Sequence, residues 1–368
     1  MHTWSSLPVR SIALSLLLLA CSHGEPFGPA DHSTSDPFQP GIQPLRLTYG
    51  GGQSPAWLDS ARIIYQFSLS DRENHPARLR DICLGVLPAT GGTRLRSICS
   101  PSPFQADTQD LYQQPAPDSN RVAFVRSALS PVTGSGLSSI VLGALDSLPA
   151  GLIIGNDGFP GAHGHVMAIG LLRWLDQDEV TFLGSDEAII SPCDTCDPIV
   201  VSRWRDAYRL NVAGGTTPQV IPGTEFATSI AVAPGVLFIT KANDSRVLRL
   251  EPGSGASSVI ATIASGATPR DADYANGRIV VVAGGKIEHF TDDNGDPAQG
   301  FDGGGELQLV DAATGAVTPL PSASLLFRRP RFSPDGASLV AEGYHYEILA
   351  SGDTVVSPSA DVYRVELP

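Results

Sequence analysis

Six segments of this chain repeat one short pattern: an apolar or aromatic anchor, a polar turn, then an apolar run. The clearest copy is Arg331-Phe332-Ser333-Pro334-Asp335-Gly336-Ala337-Ser338-Leu339-Val340, which reads as a strand, a tight turn and a second strand. The positions equivalent to Phe332 are Trp57, Ala116, Trp174, Val232 and Tyr274, at intervals of 58 or 59 residues with a single interval of 42. A period of that size built of strands and turns predicts the blades of a β-propeller. The expected fold class is therefore all-β: a six-bladed β-propeller of four-stranded antiparallel blades.

The ends of the chain bear on how such a ring closes. The last repeat runs through a third strand, Asp361 to Leu367, and supplies no fourth. The segment Pro44-Leu45-Arg46-Leu47-Thr48-Tyr49 precedes the first full repeat and has no blade of its own. Pairing of that N-terminal strand with the C-terminal blade is expected, because it leaves no unpaired edge at the seam. The propeller then spans 44–368. Gly and Pro are frequent (38 and 30 of 368 residues), and no interior segment sustains a 3.6-residue apolar period, so few helices are expected.

Residues 1–43 read as an address. Arg10 precedes about ten apolar residues ending at Cys21, the length of a signal-peptide core and too short to span a bilayer. Leu18-Leu19-Ala20-Cys21 resembles the processing box of bacterial lipoproteins. That resemblance implies removal of residues 1–20 and acylation of Cys21. Ser22, rather than Asp, then favours the outer membrane by analogy with Gram-negative sorting. Residues 21–43 are rich in Pro, Gly, Ser, Asp and His and read as a flexible tether. The expected location is the cell envelope, lipid-anchored, facing the periplasm or the cell surface.

Four further cysteines suit an oxidising compartment. Cys83 and Cys99 lie symmetrically about Gly91, so a hairpin there sets them on adjacent strands, where a disulfide would contribute ~3 kcal/mol on a chain-entropy account. Cys193-Asp194-Thr195-Cys196 admits a loop disulfide, a redox pair or half a metal site. The loop disulfide is favoured, since neither a βαβ context nor a second such motif is present.

Phe332-Ser333-Pro334-Asp335-Gly336 followed by an apolar strand resembles the WD40-like repeat of TolB-type six-bladed propellers, and Leu45-Arg46-Leu47-Thr48 resembles the tail of that repeat. The resemblance covers about 44–368 and implies the fold and a tendency to bind proteins or small ligands. It transfers no catalytic residues, because the motif is structural. The α/β domain that precedes the TolB propeller has no counterpart between Cys21 and the first strand.

In a four-stranded blade the loop between strands two and three shares a face with the connections between blades. The long insertions fall on that rim: 70–76, 130–139, 185–205, 291–304 and 345–359, beside the connector 155–165. Long loops on a rigid scaffold are where binding surfaces form. Candidate rim residues are Asp157, His163, His165 and Trp204. The first three suit a metal or polar ligand if loops converge, and Trp204, between Arg203 and Arg205, suits a protein partner. Asp292, Asp293 and Asp296 crowd carboxylates about Gly295, as calcium loops do, but the spacing departs from the EF-hand; a solvated acidic turn is the stronger reading. Trp57 and Trp174 recur at the anchor position and read as blade core.

The net charge of −14 disfavours nucleic acid as a partner. No catalytic residue is assigned, since nucleophile-elbow, Rossmann and P-loop patterns are missing. No cofactor is predicted, with calcium the one ion for which a loop is at hand. The favoured function is a monomeric binding scaffold held to the membrane through the lipid on Cys21, taking an envelope protein or small ligand at the rim. The alternative is a periplasmic propeller enzyme, of sugar dehydrogenase or lactonase type, with a metal or quinone in the central funnel.

Overall fold

The structure is a computed structural model that describes residues 44–49, 51–69, 81–98, 109–117, 120–129, 136–148, 151–154, 159–160, 165–190, 199–215, 217–264, 267–284, 287–291, 297–302, 304–322, 324–348, 354–356 and 360–368. Six antiparallel four-stranded blades form a propeller, with almost no helix among the described residues beyond the 3-10 turn Leu145–Ser147.

From the axis outward, blade 1 consists of Gln53–Trp57, Arg62–Leu69, Asp81–Pro88 and Arg96–Ile98. Blade 2 is Gln109–Pro115, Arg121–Leu129, Gly136–Ala144 and Leu152–Ile154, and blade 3 is His165–Trp174, Glu179–Ile190, Ile199–Asn211 and Gln219–Val220. Blade 4 is Ala227–Ala233, Val236–Lys241, Arg246–Leu250 and Ser257–Thr262, and blade 5 is Arg270–Ala275, Arg278–Ala283, Glu306–Asp311 and Val317–Pro319. Blade 6 takes three strands from the C-terminal region, Leu325–Phe332, Ser338–Ile348 and Asp361–Glu366, and its fourth, Leu45–Arg46, from the N-terminal side.

The predicted ring closure is therefore present, with Leu45 opposite Arg364 and Arg46 opposite Tyr363. It continues beyond the strand: the Leu47 amide donates to the Val362 carbonyl at 2.7 Å and the Gly52 amide to Ala360 at 2.8 Å. Asp361 locks the seam. Arg46 Nη2 donates to its Oδ2 at 2.5 Å, and Thr48 Oγ1 (3.0 Å) and the Gly51 amide (3.1 Å) donate to its Oδ1.

The core lies between blades. Successive residues of a second strand face opposite neighbours, as strand geometry requires. Ile63 packs with Trp57, Val340 and Val362 between blades 6 and 1, whereas Ile64 packs with Val122 and Phe124 between blades 1 and 2. Val280 and Val281 divide in the same way between blades 6 and 4. Both faces of each sheet are covered, which is why these strands read as unbroken apolar runs such as Ile279-Val280-Val281-Val282-Ala283 rather than as alternation.

One repeat position needs correction. Trp57 pairs with Ile63 and Trp174 with Val180, but in blade 2 the residue paired with Val122 is Pro115, not Ala116. The turn of blade 2 is longer by a residue, as in blade 6, where Phe332 pairs with Leu339. Pro117-Asp118 then aligns with Pro334-Asp335, and Ala116 with Ser333. The short interval also has a physical cause: blade 4 turns directly from Lys241 to Arg246, with Asn243 at φ 59°, and carries no rim insertion.

The insertions of blades 3, 5 and 6 are partly regular structure. Blade 3 extends its central hairpin outward until Ile190 pairs with Ile199. Blade 5 adds a separate hairpin, Ile287–Thr291 with Pro297–Asp302, and in blade 6 the second strand runs on to Ile348 and pairs with Thr354–Val356.

A Gly–Tyr contact recurs in blades 3 and 6. Gly184 pairs with Asp206 and lies under Tyr208; Gly343 pairs with Asp361 and lies under Tyr363. A Cβ on Gly184 would meet the Tyr208 ring at 2.7 Å, and one on Gly343 would collide with the Tyr363 ring. Tyr363 is fully buried, and its hydroxyl is hydrogen-bonded to His345 Nε2 at 2.8 Å, so the ring cannot retreat freely. Gly343→Ala is expected to lower stability by about 1–3 kcal/mol, read as a drop in the urea midpoint at unchanged m-value. An unchanged midpoint would show that the ring yields at no cost.

Candidate functional site

The six inner strands surround the axis, and each carries a register irregularity against its second strand. In five blades the residue three before the anchor has positive φ without being glycine: Ser54 (47°), Tyr112 (56°), Leu171 (47°), Asp271 (53°) and Arg329 (49°). Such backbone conformations cost on the order of 1–3 kcal/mol each and persist where the surroundings impose them. The irregularity releases main-chain groups from the ladder, and these need other partners.

Buried acids supply two of them across the blade boundaries. Glu342 of blade 6, fully buried, accepts from the Ser54 amide of blade 1 at 2.5 Å. Asp271 of blade 5 accepts from the Arg329 amide of blade 6 at 3.2 Å. The Ser54 carbonyl accepts from Gln113 Nε2 of blade 2. One position before the anchor, Asp273 Oδ2 accepts from the Phe332 amide at 2.8 Å.

The acids in turn gather arginines. Arg329 Nη1 donates to Glu342 Oε1 at 2.6 Å, and Tyr344 donates to Oε2 at 3.0 Å. The Arg329 guanidinium also lies 5.4 Å from the ring centroid of Tyr112, two blades away. Arg328 Nε donates to Asp271 Oδ2 at 2.7 Å. Arg173 spans from blade 3 to blade 5, where it donates to the Ala272 carbonyl at 3.1 Å and comes within 3.6 Å of Asp273. Arg331 reaches the same carboxylate oxygen at 3.7 Å. Blade 4 leaves room for the Arg173 span, since its inner positions are small hydroxyl residues, with Thr228 and Ser229 hydrogen-bonded to Thr240.

Burial and neighbouring charge set the electrostatics. Burial lowers Arg173 to about 10 against the pull of Asp273 and Asp271. Burial, reinforced by the like charge of Arg328, lowers Arg270 to about 10. Burial pushes Asp271 up, but Arg328 and Arg329 outweigh it and hold its carboxyl below the ordinary value. For Asp273 burial prevails over Arg173, and its carboxyl is raised. Arg329 is raised despite burial, through Glu342. Two carboxyls on one strand are thus driven in opposite directions, which marks the axis as a polarised, largely desolvated site.

The rim candidates are placed differently. Asp157, His163, Asp292, Asp293, Asp296, Cys21, Cys99, Cys193 and Cys196 lie outside the described residues. The backbone of His165 pairs with Pro160 and Glu187, and that of Trp204 with Asp186. Among the described residues no group of three metal-ligating side chains occurs. Trp57 and Trp174 are core, as expected: each is buried and donates its indole N–H to a carbonyl of another blade, Arg331 at 3.2 Å and Gln114 at 3.0 Å. Cys83 is buried and disulfide-bonded, and Leu84 opposite Ile98 is the register that a hairpin centred on Gly91 requires.

The axial residues were missed from sequence. Their signal is charge inside strands that are otherwise apolar: Arg328-Arg329-Pro330-Arg331 before the clearest turn, Asp271-Ala272-Asp273, and Glu342 within Leu339-Val340-Ala341-Glu342-Gly343.

No protein-family model matches this sequence, and no curated protein matches it. Among solved structures it is similar to TolB from Acinetobacter baumannii, at 16% identity and TM-score 0.47, over 84% of this chain and 66% of that one. It is also similar to a Trypanosoma rangeli sialidase in complex with the inhibitor DANA, at 9% identity and TM-score 0.52, over 87% of this chain and 55% of that one. The β-propeller domain of the Trilobed protease from Pyrococcus furiosus matches at 10% identity and TM-score 0.44, over 84% and 93% of the respective chains. At these identities the likeness is one of fold, and the chain is a six-bladed β-propeller.

Proposed function

We propose that this chain is a lipid-anchored binding propeller of the cell envelope that engages an envelope protein or a small ligand through one rim. The observation that supports this reading is the asymmetry of the two ends of the ring. At one end the blades close with tight turns, Trp57 to Ile63, Val232 to Leu237 and Tyr274 to Ile279. At the other, blades 3, 5 and 6 carry the extended hairpin, the added hairpin and the added strand described above. Elaboration of one end of a rigid scaffold is the usual form of a binding surface. Leu18-Leu19-Ala20-Cys21 supports the anchor, and no helix among the described residues is long and apolar enough to cross a membrane. Pairing of Cys83 with Cys99 and of Cys193 with Cys196 completes the proposal.

The test separates anchor from rim. The native protein is expected in the membrane fraction and a Cys21→Ser variant in the soluble fraction. Replacing 190–199 with a Gly/Ser loop is expected to leave the urea midpoint within experimental error and to abolish site-specific crosslinks formed from neighbouring rim positions. Membrane retention of the Cys21→Ser variant would refute the anchor, and undiminished crosslinking would refute the rim.

A further inference from the structure

A cavity of about 310 Å³ opens at the elaborated end of the ring, over blade 5. Ile263, Ala264 and Ala267, which lead from blade 4 into blade 5, form one side, and Leu325, Leu326 and Tyr346 of blade 6 form the other. Between them the top of blade 5 carries no side chains. Its second strand ends at Ala283, paired with Glu306, and the next residues on the two strands are Gly284 and Gly305. A Cβ on Gly284 would meet nothing within 4 Å, whereas one on Gly305 would collide with the Ala283 carbonyl. Gly305 exchanges both main-chain hydrogen bonds with Phe327 of blade 6, at 3.0 and 2.7 Å, so backbone closes the boundary between blades 5 and 6 there. The two elaborations frame the cavity: the Ile287–Thr291 strand of the added hairpin lies against Thr354–Val356, and Val356 pairs with Tyr346. Glu306 and Gln308 also line it, two apart on one strand and therefore on one face. Glu306 is exposed and Gln308 half-buried, and neither side chain has an ion-pair or hydrogen-bond partner among the described residues. The exposed glutamates Glu225, Glu251 and Glu366, by contrast, each meet a cation.

We infer that this cavity receives an arginine side chain of a protein partner, with Glu306 and Gln308 accepting from its guanidinium and Ile263, Leu325 and Leu326 packing against its methylene stem. The inference rests on the reading of this rim as a binding surface and narrows it to a basic protein segment. An unpaired carboxylate beside apolar walls suits a cation carried on an apolar stem. A side-chain carbonyl two residues from that carboxylate offers a planar fork a second acceptor, which a point-charge ammonium exploits less well. The volume lies at the lower end of the range for ligand pockets, about 300–1,000 Å³, so it matches one side chain rather than a cofactor. Arginine is also among the residues that anchor protein interfaces, and the net charge of −14 steers a basic partner toward the chain.

Isothermal titration of the full chain in detergent, at matched ionic strength, tests the assignment with three capped pentapeptides, Gly-Gly-X-Gly-Gly, in which X is arginine, lysine or the neutral isostere citrulline. The arginine peptide is expected to bind saturably at one site per chain, and the citrulline peptide about fivefold more weakly. Glu306→Gln is expected to weaken the arginine peptide about fivefold and to leave the citrulline peptide unchanged, which places the charge recognition at that carboxylate. Ala264 is exposed, so Ala264→Trp fills the cavity from its outer wall and is expected to abolish binding at an unchanged urea midpoint. Absence of saturable heat from the arginine peptide, or undiminished binding to Ala264→Trp, would overturn the site. Lysine binding as tightly as arginine would overturn the choice of a guanidinium, and equal loss of both arginine and citrulline peptides in Glu306→Gln would overturn the role of the charge. The replacement of 190–199 reports on the rim independently: crosslinks lost there, with no peptide bound here, would strike the cavity and leave the rim.

Discussion

A chain deprived of residues up to Tyr49 is expected to lose its cooperative fold. The strand removed is short, but three separate costs coincide there. Leu47 is almost fully buried between blades 6 and 1, and loss of such a side chain costs about 2–5 kcal/mol. Asp361, itself buried, loses Arg46 and Thr48 together, and an ion left unpaired in a protein interior costs about 3–5 kcal/mol. The Asp361–Glu366 strand becomes an open edge, free to pair with another molecule. Together these approach the whole stability of a typical fold, about 5–15 kcal/mol. Size-exclusion chromatography and far-UV circular dichroism are expected to show aggregated or non-cooperatively unfolding material. The point variant Asp361→Asn, which removes only the charge, is expected to stay folded at a lower urea midpoint. A truncated chain with the native midpoint would show that the seam contributes nothing and that the ring is held by blade packing alone.

The seam was legible because it follows from counting. Every repeat needs four strands, the last has three, and one strand precedes the first repeat; the pairing of Leu45 with Arg364 is the remaining solution. The anchors were legible as well, since Trp57, Trp174 and Phe332 share a chemical type and a place before a turn. Blade 2 reads one residue off because its anchor is Pro115, which has neither the size nor the aromatic character of Trp57, Trp174, Tyr274 and Phe332. The axis was not legible for a related reason. The position three before the anchor is Ser54, Tyr112, Leu171, Ser229, Asp271 and Arg329 in turn, so no residue type marks it. What repeats is a backbone irregularity, and the side chains that answer it come from other blades. Ser54 and Glu342 are 288 residues apart in the chain, and no local pattern connects them. The repeated Asp-x-Tyr-Arg of Asp206 to Arg209 and Asp361 to Arg364 was visible, but its meaning depends on the glycine beneath each tyrosine, on the neighbouring strand.

Glu342→Ala is the point substitution from which the largest loss is expected. Glu342 has no exposed surface and satisfies three donors at once: the Ser54 amide, Arg329 Nη1 and the Tyr344 hydroxyl. Removing it leaves Arg329 without its carboxylate and the Ser54 amide buried without an acceptor. Breaking a buried ion pair from one side costs about 3–5 kcal/mol, and an orphaned amide adds about 1–3 kcal/mol. The positive φ of Ser54 and Arg329 makes the site less forgiving, because both backbones are held in place by the contacts that Glu342 and Asp271 provide. The mechanism is separable from simple loss of volume by a double-mutant cycle. Arg329→Met in the Glu342→Ala background removes the stranded cation and is expected to restore part of the lost stability, whereas Arg329→Met alone leaves Glu342 uncompensated and is expected to destabilise. Urea midpoints of the four proteins measure the coupling. If the two substitutions simply add, Arg329 does not depend on Glu342, and the stability of the axis rests on the inner-strand packing rather than on the charges set within it.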